Sequence, residues 1–205
     1  MLGLPRSTEV NRRVAKEKLY ANGSMSASIR DMIKDQIEAI IWRNKLADST
    51  LGVAAGEEEK EIQVFEVALR QKALDRRIVQ AIAKAIPYKI LFVATFDGEA
   101  QAWMEVSGTF YSTEWFPLEG FTLKIEGLNL DAVYENLARQ IAGGRLDMED
   151  DLATAVDRDQ RRQRLERDIA LLEKKVLREM QFNRQVELNA ELKRMKQELE
   201  ELLHG

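Results

Sequence analysis

Residues 61–107 read EIQVFEVALRQKALDRRIVQAIAKAIPYKILFVATFDGEAQAWMEVS, and their punctuation decides the fold. Residues 88–96 are a nearly continuous apolar run, the pattern of a central strand covered on both faces. Before it, Leu74, Ile78, Ile82 and Ile86 recur at helical spacing over 73–86 until Pro87 stops them. Residues 61–69 are short and rich in β-branched and aromatic side chains, which predicts a strand. Asp97-Gly98 is a hairpin turn signal, with 101–107 as the returning strand. A strand–helix–strand unit followed by hairpins gives a mixed sheet with helices packed on it, the α+β class.

Working outward, residues 110–116 read as a further strand ended by Pro117, and 121–125 as one more short strand. Asn129 at an N-cap and Gly143-Gly144 at the far end bracket a helix carrying Ala132, Val133, Leu137 and Ile141. Upstream, Ser28-Ile29-Arg30-Asp31 fits a capping box. Ile29, Ile33, Ile37, Ile40, Ile41 and Asn44 follow helical spacing, which predicts a helix over 27–46. Residues 55–60 read as a loop.

All three prolines and ten of the eleven glycines lie at or before Gly144, so residues 145–204 contain no helix breaker. Fully helical, that stretch would measure roughly 90 Å. This places a boundary between an α+β head, residues 1–144, and a helical coiled-coil arm, residues 145–205. Residues 151–205 carry 12 basic and 12 acidic residues, so the whole net charge of −4 belongs to the residues before them. Leu165, Ile169, Leu172 and Val176 repeat at coiled-coil spacing, as do Leu188, Leu192, Met195, Leu199 and Leu202. The two seams do not share a register. Between them, around residues 180–184, the helix either drifts through a stutter, bends, or folds back. The arm is either an amphipathic helix lying on its own domain or a self-associating arm. Its length favours the second, and a homo-oligomer is expected.

Composition removes most familiar enzyme chemistry. There is no Cys, and the single His is residue 204, so thiolate zinc sites, cysteine nucleophiles and Ser-His-Asp triads are excluded. No GxxxxGK[ST] or GxGxxG loop is present. No apolar run reaches the roughly 18 residues a membrane span needs, and the N-terminus has no apolar core of a signal peptide, so a cytoplasmic protein is expected.

Three constellations remain. A metal-dependent nuclease of the PD-(D/E)xK type needs only carboxylates and a Lys, and Glu38 and Glu66 are its candidates, holding Mg²⁺. The position two after Glu66 is Ala68, however, and Lys72 lies beyond the expected strand end. Trp42, Arg43, Asn44 and Lys45, read at a helix C-terminus, suit the helix dipole or contact a ligand or partner. Arg6, Arg12, Arg13, Lys16 and Lys18 form a basic cluster able to meet phosphate or simply to solvate a surface helix. The arginines at 158, 161, 162, 164 and 167 interleave with acidic residues and read as a self-paired helix face.

Six stretches taken together, residues 1–10, 41–45, 62–66, 85–88, 130–136 and 181–189, resemble the bacterial proteins of domain-of-unknown-function family 4391. The resemblance spans almost the whole chain. It implies no catalytic residue or cofactor. It implies an accessory protein encoded beside helicases and DNA methyltransferases, in restriction-modification or phage-defence clusters, an association and not a mechanism. The resulting expectation is a non-enzymatic accessory or scaffold protein of such a complex, with helicase or methyltransferase partners. The alternatives are the Glu38/Glu66 nuclease and a nucleic-acid-binding adaptor.

Overall fold

A computed structural model describes residues 2–22 and 25–204. Its contacts divide the chain into two units, Met1–Arg145 and Leu146–Gly205.

The first unit is a mixed seven-stranded sheet with helices on both faces. Its elements in chain order are β1 (Glu9–Arg13), α1 (Lys16–Asn22), α2 (Ala27–Gln36), β2 (Ile37–Ala47), α3 (Asp48–Leu51), β3 (Glu61–Leu69) and α4 (Arg76–Ala85). There follow β4 (Lys89–Phe96), β5 (Glu99–Val106), β6 (Thr109–Ser112), β7 (Phe116–Pro117) and α5 (Leu130–Ala142). The sheet runs β1-β2-β3-β4-β5-β6, with β7 also paired to β5. β3 and β4 are parallel, joined through α4, and the other pairs are antiparallel. Asp97 (φ 46°) and Gly98 (φ 78°) turn β4 into β5, the left-handed pair a tight hairpin demands.

β4 is buried because both of its faces are covered. Phe92 and Ala94 join Phe65, Val67, Ile78, Ile82, Ile33 and Ile40 in a core beneath α1, α2 and α4. On the other face α5 packs against β5 and β6. Its Leu130, Val133, Leu137 and Ile141 are fully buried. Asn129 Oδ1 accepts from the N–H of Ala132 at 2.9 Å, and Gly143 ends the helix at φ 62°.

Four expectations are corrected. The helix expected over 27–46 stops at Gln36, and β2 takes its second half. Register shifts between Ile37 and Ala39 and between Trp42 and Asn44 break the alternation of β2. The first bulge thus buries Ile37 and Ile40 three apart and the second buries Asn44 four further on, the spacing of a helix. The N-cap is Ser26, which accepts from the N–H of Ile29 at 3.3 Å, and not Ser28. Residues 121–125 form no strand. Leu123 N–H bonds the Leu2 carbonyl at 3.0 Å, and Gln140 brackets Lys124 through both its N–H (3.0 Å) and its carbonyl (2.8 Å). The strand expected over 110–116 is two shorter pieces, β6 and β7.

The second unit is a helical hairpin of α6 (Leu152–Arg178) and α7 (Phe182–His204). Asp151 caps α6, accepting from the N–H groups of Ala153 and Thr154 at 3.0 Å each. Of the alternatives left open at the join, the chain folds back at residues 179–181. The antiparallel pairing is recorded by Arg161–Glu198 and Lys196–Glu173, both 2.6 Å. Continued straight, Val176 and Leu188 would sit twelve residues apart, about 120° out of phase, and the seams would face different directions. The reversal turns both inward: Leu165, Ile169 and Leu188 are buried. Leu172, Val176, Leu192, Met195, Leu199 and Leu202 are half-buried.

Candidate functional site

Glu66 sits on the sheet face opposite the α2–α4 core. Its carboxylate accepts from Arg43 Nε at 2.5 Å and from Thr95 Oγ1 at 3.2 Å. Arg43 Nη1 also donates to Asn11 Oδ1 at 3.2 Å, and Asn11 adopts φ 51° where β1 is irregular against β2. Glu66 is thus a clamped, charge-neutralised side chain joining β1 to β4. The structure does not bring Glu38 to it. Ile41 pairs with Glu66, and Glu38 lies three residues along β2 from Ile41, about 10 Å, too far to share one Mg²⁺. Glu38 is on a strand and not on a helix. Lys72 pairs with Glu99 and stands 5.4 Å from the Trp115 ring. Among the described residues no group of three or more His, Cys, Asp or Glu is placed to hold a metal ion.

Trp42, Arg43, Asn44 and Lys45 lie within β2 and not at a helix end, and each has an internal partner. Trp42 Nε1 donates to the Asn44 carbonyl at 3.0 Å across the bulge. The buried Asn44 donates to Thr8 Oγ1 at 2.9 Å, and Thr8 in turn donates to the Pro5 carbonyl at 2.7 Å. Lys45 pairs with Glu61 at 2.5 Å, a contact that raises its pKa. The four residues stitch the N-terminal segment and β3 to β2.

The N-terminal cations divide. Arg6 lies in a short 3₁₀ turn and Arg12 on β1. Lys18 is on α1. Arg13 and Lys16 come together on one cleft, which Glu38 also lines. Lys16 Nζ donates to the Ile37 carbonyl at 2.6 Å, at the C-terminal end of α2. Burial first, then Arg70 and Arg13, push the Lys16 ammonium below its ordinary range.

One constellation escaped the sequence reading. The Asp131 carboxylate, in the first turn of α5, accepts from the N–H groups of Glu57 (2.6 Å), Glu59 (2.7 Å) and Glu58 (3.4 Å). Those bonds hold its pKa below the usual carboxylate value, Glu59's contributing most. A Cβ at Gly56 would lie 2.1 Å from Asp131 Oδ1, so only glycine permits the approach. Close by, Lys89 bridges Glu59 (3.6 Å) and the Tyr134 ring (5.2 Å). The acidic run Glu57-Glu58-Glu59 hid the anchor, because its backbone and not its side chains receives Asp131.

On the arm, folding back leaves much apolar surface in water. Leu177, Met180 and Phe182 at the turn are 83%, 95% and 76% exposed, and Val186 and Leu171 are also exposed. Leu171, Leu172 and Met195 line a groove flanked by Asp168, Lys175 and Glu191. No described helix is long and apolar enough to cross a membrane.

A mixed-sheet α+β head followed by a helical hairpin defines the class of this protein. The model of domain of unknown function DUF4391 matches residues 2–199, and the chain belongs to that family. No curated protein and no solved structure matches.

Proposed function

We propose that this chain is a non-enzymatic assembly protein that pairs with a second copy of itself through the arm. The observation that carries this is the hairpin's exposed apolar surface. A two-helix hairpin buries one side of each helix, and a four-helix bundle buries the rest. The groove around Leu171 and Met195 has carboxylates and a lysine on its edges, and the stretch 151–205, which holds both helices, carries equal numbers of basic and acidic residues. A second copy therefore meets no net repulsion. In the head, the best-placed carboxylate is consumed by Arg43, which supports a platform more than a catalyst. As the resemblance suggests, the assembly serves cytoplasmic DNA restriction-modification or phage-defence machinery with helicase or methyltransferase partners.

Two differently tagged copies expressed together test this reading. Recovery of the second tag with the first, lost in Leu171→Asp/Phe182→Asp, is expected. No recovery of the second tag from the wild type removes the reading. Mass spectrometry of the same eluate then tests the recruitment step: a helicase or methyltransferase subunit is expected.

A further inference from the structure

Between the end of β1, the start of α1 and the start of β2, the head opens into a cleft of about 440 Å³, within the range of small-molecule sites. Its lining combines Arg13, Lys16, Glu17 and Glu38 with the apolar Val14 and Ala39. Lys16 is partly buried and bonded to the Ile37 carbonyl, and both Arg70 and Arg13 repel it, with Glu17 the opposing charge. The repulsion of the half-buried Lys16 by Arg13 in the cleft and by Arg70 beside it raises the local free energy, and an anion placed at Arg13 and Lys16 lowers it. An ammonium has three donors, so Lys16 keeps two after its bond to Ile37. The Arg13 side chain is exposed and free to form a fork on a phosphate. Glu38, exposed on β2, is an acceptor that a bare phosphate would avoid and that sugar hydroxyls or a base amino group would seek.

We propose that this cleft binds a phosphate-bearing nucleotide, either free or as a unit of a single-stranded nucleic acid. The phosphate sits at Arg13 and Lys16, the hydrogen-bond donors of sugar or base meet Glu38, and the base lies against the partly exposed Val14 and Ala39. The site is built wholly from the head and does not depend on the arm's self-association.

Fluorescence anisotropy with two probes tests it: a fluorescein-labelled mononucleotide and a fluorescein-labelled oligothymidine of about twelve residues. Arg13→Glu is expected to weaken binding about tenfold or more. Lys174→Glu on the arm makes the same change in net charge and is expected to alter affinity less than about twofold. Arg13→Met replaces Arg13→Glu should the latter differ from wild type in circular dichroism. Binding of the mononucleotide identifies a free nucleotide as the ligand, and binding of the oligothymidine alone identifies the polymer. Absence of binding of both probes to the wild type overturns the proposal. So does an equal loss in Arg13→Glu, or its replacement, and in Lys174→Glu.

Discussion

Asp131 is the residue whose environment makes the sharpest demand. Its carboxylate collects three backbone N–H groups from a loop far away in sequence, and Gly56 leaves the room for it. Gly56→Ala is expected to lower stability by about 1–3 kcal/mol, the cost of an overpacked contact, read from urea unfolding. The sign of the pH dependence follows from the depressed pKa of Asp131. Its stabilisation is complete above the unfolded value, near ~4, and is lost as pH falls through the lower folded value. Asp131→Asn is therefore expected to be less stable than wild type at pH 7 and to show a shallower acid loss. Glu59, raised by burial, acts in the opposite sense, so the loss must be read as the difference between the two proteins. The Arg43–Glu66 pair is a second residue-scale test. Arg43→Ala leaves a nearly buried carboxylate without its partner and is expected to cost about 2–3 kcal/mol. Arg43→Met/Glu66→Leu should recover most of that in a double-mutant cycle.

At the scale of elements, the arm depends on its reversal. Leu188, 4% exposed, is the most deeply buried seam residue of α7. Leu188→Ala is expected to destabilise the arm by about 2–3 kcal/mol, seen as an earlier loss of helical circular dichroism on heating. How far each element could be read from sequence followed from how regular it is. β4, α4 and the Asp97-Gly98 turn show in the chain because continuous apolar runs, helical spacing and left-handed turn residues are local signals. β2 was hidden by two bulges that put the buried Ile37, Ile40 and Asn44 at helical spacing. Residues 121–125 look like a strand, but Gln140 and Leu2 satisfy their backbone, a long-range fact no local pattern carries. Both arm seams were legible, and their mismatch of phase was legible too. That the mismatch is resolved by folding back needs the Arg161–Glu198 and Lys196–Glu173 pairs. Of the candidate site residues, Arg13 and Lys16 were visible as charges. Their meeting with Glu38 follows from β2 being a strand, so the helix reading concealed it.

At the scale of the whole molecule, the two proposals rest on two surfaces: a hairpin with unburied leucine, methionine and phenylalanine, and a charged cleft in the head. Self-association is the central claim, and light scattering on the full chain measures it most directly. At about 50 μM, enough to populate a dimer of micromolar affinity, the wild type is expected to weigh twice the 23.5 kDa of one chain. Leu171→Asp/Phe182→Asp is expected to return to the mass of one chain with its circular dichroism retained. A wild-type mass of one chain at that concentration would contradict the account.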